Sequence, residues 1–271
     1  MKKISLILFA VLALAILAAC GNRAENGLEA IRERGYLIVG IFGESPPFGY
    51  VEANGELAGR DAMIARRFAY ELFGDENAVE FVITEAANRI EFLTSHRVDV
   101  IIANFTVTPE RAEQVDFALP YGRVALGVIS PEGSGIETLE DLAGQNLIVT
   151  QGTTAEIYFT QNHPEINLLR FQINTESFQA LEDGRGAAMA HDNTLLLRYV
   201  WDNEGFNVIE YRLGNDDILA PAIRQNEPEL LEWINETTLR LRAENFFYTV
   251  FDETMRSYFH PSTNPSDIMY N

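Results

Sequence analysis

Basic side chains and cysteine are scarce in this sequence, and both shortages exclude classes of protein. Its 271 residues include 20 Lys and Arg against 40 Asp and Glu, which gives a formal net charge of −20. Because such a surface repels phosphate backbones and anionic lipids, we expect no nucleic-acid partner. The single cysteine excludes an intramolecular disulfide and a thiolate zinc cage. The four histidines, at positions 96, 163, 191 and 260, lack metal-ligand spacing, so we predict no metal and no cofactor.

The N-terminal segment has the pattern of a cleaved export signal. A basic start at residues 1–3 precedes an uncharged run from Leu6 to Ala19, which is shorter than the roughly 20 residues that span a bilayer. The run ends in Leu17-Ala18-Ala19-Cys20, which resembles the lipobox of bacterial lipoproteins. We therefore predict a signal peptide at 1–19, lipidation of Cys20 with palmitate-type acyl chains, and a tether at 20–34. An ordinary signal peptide followed by an accidental cysteine is the alternative.

After the tether, strand-like and helix-like patterns alternate, which predicts an α/β fold. An apolar run at 36–41 indicates a buried strand, runs at 79–83 and 98–102 indicate two further strands, and the pattern restarts near residue 138. Asp61 is predicted to cap a helix that Gly74 ends, and Thr108 to cap a helix that begins with Pro109. The tail that contains Pro261 and Pro265 is predicted to be loosely held.

Two long segments carry a resemblance to a known family. The segments 104–111 (NFTVTPER) and 115–121 (VDFALPY) are similar to the signature of polar amino-acid binding proteins, the solute receptors of ABC importers. Further matches are 46–50 (PPFGY), Gly59 with Asp61, and 151–154 (QGTT). Within that family, 85–89 (EAANR), 111–117 (RAEQVDF) and 191–196 (HDNTLL) resemble the cysteine-binding receptor lipoproteins.

The resemblance implies a two-lobed periplasmic-binding-protein fold of type II, with a two-strand hinge and the ligand in the cleft between the lobes. We expect lobe 1 to comprise 35–122 plus 217–271, and lobe 2 to comprise 123–216. The implied function is capture of a small polar amino acid, most simply L-cysteine, and its delivery to an ABC permease and ATPase complex. We expect a monomer that is held at the bacterial cell envelope by its lipid anchor only and faces the periplasm or the exterior.

A free amino acid presents two opposite charges, and burying both requires a partner for each. The guanidinium of Arg111 is predicted to bind the carboxylate, assisted by the amides of Thr153 and Thr154 at a helix start. Asp192 follows a strand end and is predicted to bind the ammonium, with Thr106 and the Asn104 carbonyl. The alternatives are a solvated Arg111 at a helix end, and an Asp192 that only caps a helix.

The predicted pocket and specificity residues are Phe42, Glu44, Phe48, Arg89, Phe105, Tyr121 and Gly152. Phe42 and Phe48 are alternatively plain core residues, and His191 is predicted to be a wall residue rather than a catalytic base. Arg89 has two readings, one as the partner of an anionic ligand side chain and the other as the partner of Glu44 across the cleft. A ligand with a second carboxylate, aspartate or glutamate, is therefore the main rival to cysteine, and glutamine is a further one. Arg60 and Met63 depart from the family pattern and are expected to alter packing at the lobe surface.

An enzyme is the rival class, because dehydratases that act on prephenate-like substrates share related folds. The sequence contains no Gly-x-Ser-x-Gly turn, no His-Glu-x-x-His helix and no glycine-rich phosphate loop. We therefore predict a binding protein without catalytic residues. A sensory or adhesive surface lipoprotein is a third possibility.

Overall fold

The computed structural model describes residues 27–271, and it places two mixed sheets side by side. The predicted signal peptide and Cys20 lie outside the described residues. No helix in the described part of the chain is long and apolar enough to cross a membrane.

The first sheet has the strand order β5-β1-β6-β13-β7, in which β1 is parallel to β5 and β6 while β13 is antiparallel to both of its neighbours. The strands are β1 (Leu37–Ile41), β5 (Val79–Ile83), β6 (Val100–Ile101), β7 (Val115–Phe117) and β13 (Ala222–Arg224), and a small hairpin sheet adds β2 (Glu44–Ser45), β3 (Gly49–Val51) and β4 (Leu57–Ala58). The helices around this sheet are α1 (Leu28–Arg34), α2 (Arg60–Phe73), α3 (Arg89–Thr94), α4 (Pro109–Ala112), α8 (Pro228–Ala243) and α9 (Phe246–Thr254).

The second sheet has the order β10-β9-β11-β8-β12, with β8 antiparallel to β11 and β12. Its strands are β8 (Gly122–Pro131), β9 (Asn146–Thr150), β10 (Asn167–Phe171), β11 (Ala188–Asp192) and β12 (Phe206–Leu219), and its helices are α5 (Thr154–Asn162), α6 (Asn174–Glu182) and α7 (Asn193–Asp202). Each sheet has its own buried apolar clusters, so the chain forms two lobes.

Two long strands join the lobes. β8 leaves the first lobe at Gly122 and β12 returns to it at Leu219, and these two residues face each other in the ladder. A bridge between Thr106 and Leu219 ties the return strand to the first lobe. The predicted α/β, two-lobed architecture with a two-strand hinge is confirmed.

Two local predictions are wrong. Asp61 does not cap a helix, because α2 begins at Arg60 with Gly59 as its N-cap, and the Asp61 side chain is fully buried against Arg60. The C-terminal tail is not loosely held: Ile268 and Met269 are buried, and the Tyr270 amide donates to the Tyr121 carbonyl at 3.0 Å. Ile268 and Met269 belong to the apolar core of the first lobe. The two prolines of the tail had suggested a loose segment instead.

Candidate functional site

The candidate site is a small cavity between the two lobes, at the carboxyl ends of several strands. Its cavity volume is about 10 Å³, roughly the room that one water molecule needs, and far below the roughly 300–1,000 Å³ of pockets that hold drug-sized ligands. Its lining residues are Phe42, Ala86, Arg89, Asn104, Thr106, Arg111, Thr153, Thr154, Asn174, His191 and Asp192. All six residues predicted to bind a carboxylate or an ammonium therefore lie around one small space.

Arg111 is aimed into this cavity by the short helix α4. The Thr108 hydroxyl accepts the Arg111 amide at 3.3 Å, and Pro109 occupies the first turn, as the sequence predicted. The guanidinium donates to the carbonyls of Thr106 at 2.6 Å and Gly152 at 2.9 Å, and it lies 4.7 Å from the Phe105 ring. Burial lowers the pKa of Arg111 to about 10, so this side chain stays charged at neutral pH. Arg111 is therefore buried, and the alternative of a solvated arginine at a helix end is wrong.

Asp192 ends β11 and occupies the N-cap position of α7. Its side chain makes no capping hydrogen bond within residues 27–271, and instead it accepts a bond from the Asn104 side-chain amide of the other lobe. Burial raises the pKa of the Asp192 carboxyl to about 6, although Arg89, Arg111 and Arg60 oppose that shift. The Asp192 carboxylate is thus buried, has a pKa about one unit below neutral pH, and points across the cleft towards lobe 1.

Arg89 lines the cavity but is largely occupied by backbone. It donates to the carbonyls of Ala86, Ala103 and Asn104 in its own lobe and to Gly152 in the other, at 3.0–3.2 Å. Burial and the neighbouring Arg111 charge hold the pKa of Arg89 well below its usual value. The alternative of an ion pair with Glu44 is wrong: four of the five guanidinium donors reach backbone carbonyls, and the Glu44 carboxylate bonds to Ser45 and Thr175 instead.

Glu44 lies outside the cavity lining and connects the lobes at its rim. Its carboxylate accepts the Ser45 hydroxyl at 3.2 Å and the Thr175 amide at 3.1 Å, and burial raises its pKa. Beside it, the Asn174 amide donates to the Ser45 hydroxyl at 2.8 Å across the cleft. These hydrogen bonds therefore connect β2 of the first lobe to the start of α6 in the second lobe.

Gly152, Thr153 and Thr154 form the start of α5. Thr153 caps this helix through its hydroxyl, which accepts the Glu156 amide at 3.3 Å, while its own amide donates to Thr150. The first-turn amides of a helix have no acceptor within the helix, so the Thr154 amide is a donor suited to an anion. Gly152 contributes its carbonyl to Arg89 and Arg111 instead of lining the space.

The other predicted aromatic residues lie behind the lining. Phe105 is beneath Arg89 and Arg111, with the Arg89 guanidinium 4.3 Å from its ring. Phe48 and Tyr121 enclose a different cation, Arg60, at 4.7 and 5.0 Å. Of the predicted aromatic residues, Phe42 alone is among the lining residues.

His191 is a wall residue held as a neutral ring. Its Nδ1 atom accepts the Asp192 amide at 2.7 Å, so its Nε2 atom carries the hydrogen and donates to the Asn174 side chain at 3.0 Å. Burial and the Arg89 charge lower the pKa of His191 to about 3.

Sequence reasoning missed three residues near the site. Asn174 lines the cavity as the first residue of α6, and none of the motifs in the sequence includes it. Asp217 has its pKa raised to about 6 by burial and by the Asp192 charge, although the acidic pair at 216–217 looks like solvated surface in the sequence. Arg60, expected at the lobe surface, is 0% exposed, so that expectation is wrong.

Two lobes joined by two strands, with opposite buried charges facing one cavity between them, define a class of extracytoplasmic solute-binding proteins. Residues 37–255 match the model of the bacterial extracellular solute-binding proteins, family 3, and the chain belongs to that family.

The similar solved structures include a cysteine-binding protein from Campylobacter jejuni. It is 48% identical, with a TM-score of 0.88 over 90% of this chain and 98% of that one. A solute receptor for L-cysteine from Neisseria gonorrhoeae is 44% identical, with a TM-score of 0.88 over 90% of this chain and all of that one. Among characterised relatives, the ABC transporter glutamine-binding protein of Bacillus subtilis is 28% identical and covers 94% of this chain and 98% of its own length.

Proposed function

We propose that this chain is the receptor of an ABC importer that captures L-cysteine by closure of its lobes and delivers it to a membrane permease. The observation that carries the proposal is that Arg111 of lobe 1 and Asp192 of lobe 2 face the same cavity. A zwitterion between them satisfies a buried cation and a buried anion together, and only the closed form brings both into reach. The proposed lobes are 35–122 plus 217–271, and 123–216, in keeping with the strands of the two sheets. The helix α1 (Leu28–Arg34), within the predicted tether of 20–34, does not act as a tether, because its Leu28 and Ile31 pack into the core of the first lobe.

The choice of cysteine is supported by the lining and by the two similar cysteine receptors. A second ligand carboxylate would need a cation with a free pair of donors, and four of the five donors of Arg89 are taken by backbone carbonyls. Glutamine is the second candidate, because the Bacillus subtilis relative binds it.

Calorimetry with cysteine under reductant, cystine, aspartate, glutamate and glutamine tests the ligand, with Arg111→Ala and Asp192→Ala testing the site. We expect one cysteine per chain and a loss of affinity of about 100-fold or more in each variant, because each leaves a buried charge unpaired. Arg170→Ala, at an exposed ion pair of lobe 2, is the matched control. A preferred dicarboxylic acid or glutamine would replace cysteine, and unchanged affinity in both site variants would overturn the site. Turnover of the bound amino acid would establish the dehydratase-like alternative.

We also propose that Cys20 is the lipidated residue and that the lipid anchors the receptor at the cell envelope. Metabolic labelling with radioactive palmitate tests this in cells that express the full chain. Label in the wild type and none in Cys20→Ala supports the anchor, whereas equal label in both contradicts it.

A further inference from the structure

Arg60 is a buried arginine directly behind the cavity. Its Nε atom donates to Asp61 at 2.7 Å and one terminal nitrogen donates to the Asn104 side-chain oxygen at 2.7 Å. The rings of Phe48 and Tyr121 lie 4.7 and 5.0 Å from the guanidinium. Arg60 therefore reaches a lining residue without itself lining the cavity.

The contact determines which way the Asn104 amide faces. A guanidinium has only donors, so the atom of Asn104 that it binds is the carbonyl oxygen. The amide NH₂ group must then point the opposite way, towards Asp192 of the other lobe, and it donates to that carboxylate. An asparagine rotated by half a turn would instead present its oxygen to Asp192, and two oxygens repel each other.

The backbone of Asn104 is held by the same ion pair. Asn104 has a left-handed φ of +48°, and its amide donates to the second carboxylate oxygen of Asp61 at 3.1 Å. Arg60 and Asp61 thus bind both the side chain and the backbone of one residue, and each compensates the charge that the other buries.

We propose that Arg60 is a positioning residue for ligand binding: by fixing the orientation of Asn104, it holds Asp192 at the place where the ligand ammonium binds. This inference rests on the proposed function, and it assigns part of the affinity to a residue that does not contact the ligand. A chain of hydrogen bonds runs from Asp61 through Arg60 and Asn104 to Asp192, and it links α2 of lobe 1 to β11 of lobe 2.

Several other charges act on Asp192 and must be kept constant in a test. Arg89 and Arg111 face it from lobe 1, and Asp217 faces it from the hinge strand β12. His191 precedes it on β11 and is neutral. Because Arg60 also favours the ionised Asp192, its removal raises the pH below which Asp192 is protonated.

The test compares Arg60→Met, which keeps the volume and removes the donors, with Arg224→Met. Arg224 is also buried in lobe 1, where it pairs with Glu227 at 2.8 Å and is not among the cavity-lining residues, so it reports the general cost of losing a buried arginine. Each variant is measured for cysteine affinity from pH 5 to 7.5 and for thermal unfolding without ligand. The set is completed by Asn104→Ala and the double variant Arg60→Met/Asn104→Ala.

We expect Arg60→Met to lose about tenfold or more in affinity at pH 7 and to shift the acid midpoint of binding upwards by about half a pH unit or more. We expect Arg224→Met to lower the unfolding temperature without either effect. Because Arg60 acts through Asn104, the double variant should bind no more weakly than Asn104→Ala alone. Arg60→Lys keeps the buried charge and is measured in the same way if Arg60→Met does not fold.

An unchanged pH profile in Arg60→Met, or fully additive losses in the double variant, would overturn the positioning role. So would failure of both Arg60 variants to fold while Arg224→Met folds, because Arg60 would then be purely structural. If the wild type binds no amino acid, it is the proposed function that fails.

Discussion

Gly152 packs against the backbone of Ala87 across the cleft. A Cβ atom added to Gly152 would lie 2.5 Å from the Cα atom of Ala87, and Gly152 also has a left-handed φ of +75°. The two lobes thus meet, backbone to backbone, beside Arg89 and Arg111. This close approach makes closure sensitive to a single methyl group.

Gly152→Ala is expected to hinder closure and to weaken cysteine binding by about 100-fold or more, because the clash is with backbone that cannot rotate away. The measurements are calorimetry and the radius of gyration in solution with and without ligand. Gly184→Ala is the matched control, since Gly184 has a φ of +69° and open space around its Cβ position. It carries the same backbone strain without the clash and should bind normally; equal losses in the two variants would contradict the closure argument.

Ligand affinity is expected to fall as the pH drops through about 6. Asp192 must be ionised to bind an ammonium, and burial raises its pKa to about 6, so the competent fraction decreases about tenfold per pH unit below that value. Calorimetry between pH 5 and 7.5 measures this, a range in which the α-amino and α-carboxyl groups of the ligand keep their charges. Asp217 also has a pKa raised to about 6, so Asp217→Asn is the necessary control. If Asp217→Asn lost the acid dependence of binding, that dependence would come from Asp217 and the attribution to Asp192 would be wrong.

His191 is expected to destabilise the unliganded protein in acid. Its pKa is lowered to about 3 in the folded state, so the unfolded chain binds the proton first as the pH falls below about 6.5. The free energy of unfolding should therefore decrease from about pH 6.5 towards pH 3 through this group. Urea unfolding at pH 7, 5.5 and 4.5 measures it. The decrease should be smaller in His191→Asn and unchanged in His96→Asn, which replaces an exposed turn residue of left-handed φ. Equal acid sensitivity in all three proteins would exclude His191 as its source.

The C-terminal tail is expected to contribute measurably to stability. Met269 is 0% exposed and pairs with Gly122 at the start of the hinge strand β8. Met269→Ala should lower the free energy of unfolding by about 2–5 kcal/mol, because it removes a buried side chain from a packed core. Asn271→Ala, at an exposed position two residues later, is the control for urea unfolding. A loss below about 0.5 kcal/mol in Met269→Ala would mean that the tail is held only weakly.

The sequence by itself determined the fold class and most of the residues around the cavity, although not Asn174. The alternation of apolar runs and capped helices is local, so β5 was predicted at its true bounds, and Thr108 with Pro109 was recognised as the start of a helix. The motif residues Arg111 and Asp192 were placed in opposite lobes because the resemblance covers most of the chain. Their roles as ligand partners remain predictions.

Only the tertiary structure decided what surrounds those residues. Three of the four carbonyls that Arg89 meets belong to its own lobe, so the packing within that lobe decides its partners, and no sequence pattern encodes those distances. Arg60 looks like a surface arginine at a helix start, yet three partners from separate segments, Phe48, Asn104 and Tyr121, enclose it. Burial and charge pairing arise from contacts between residues far apart in the chain, so they follow from packing and not from local sequence.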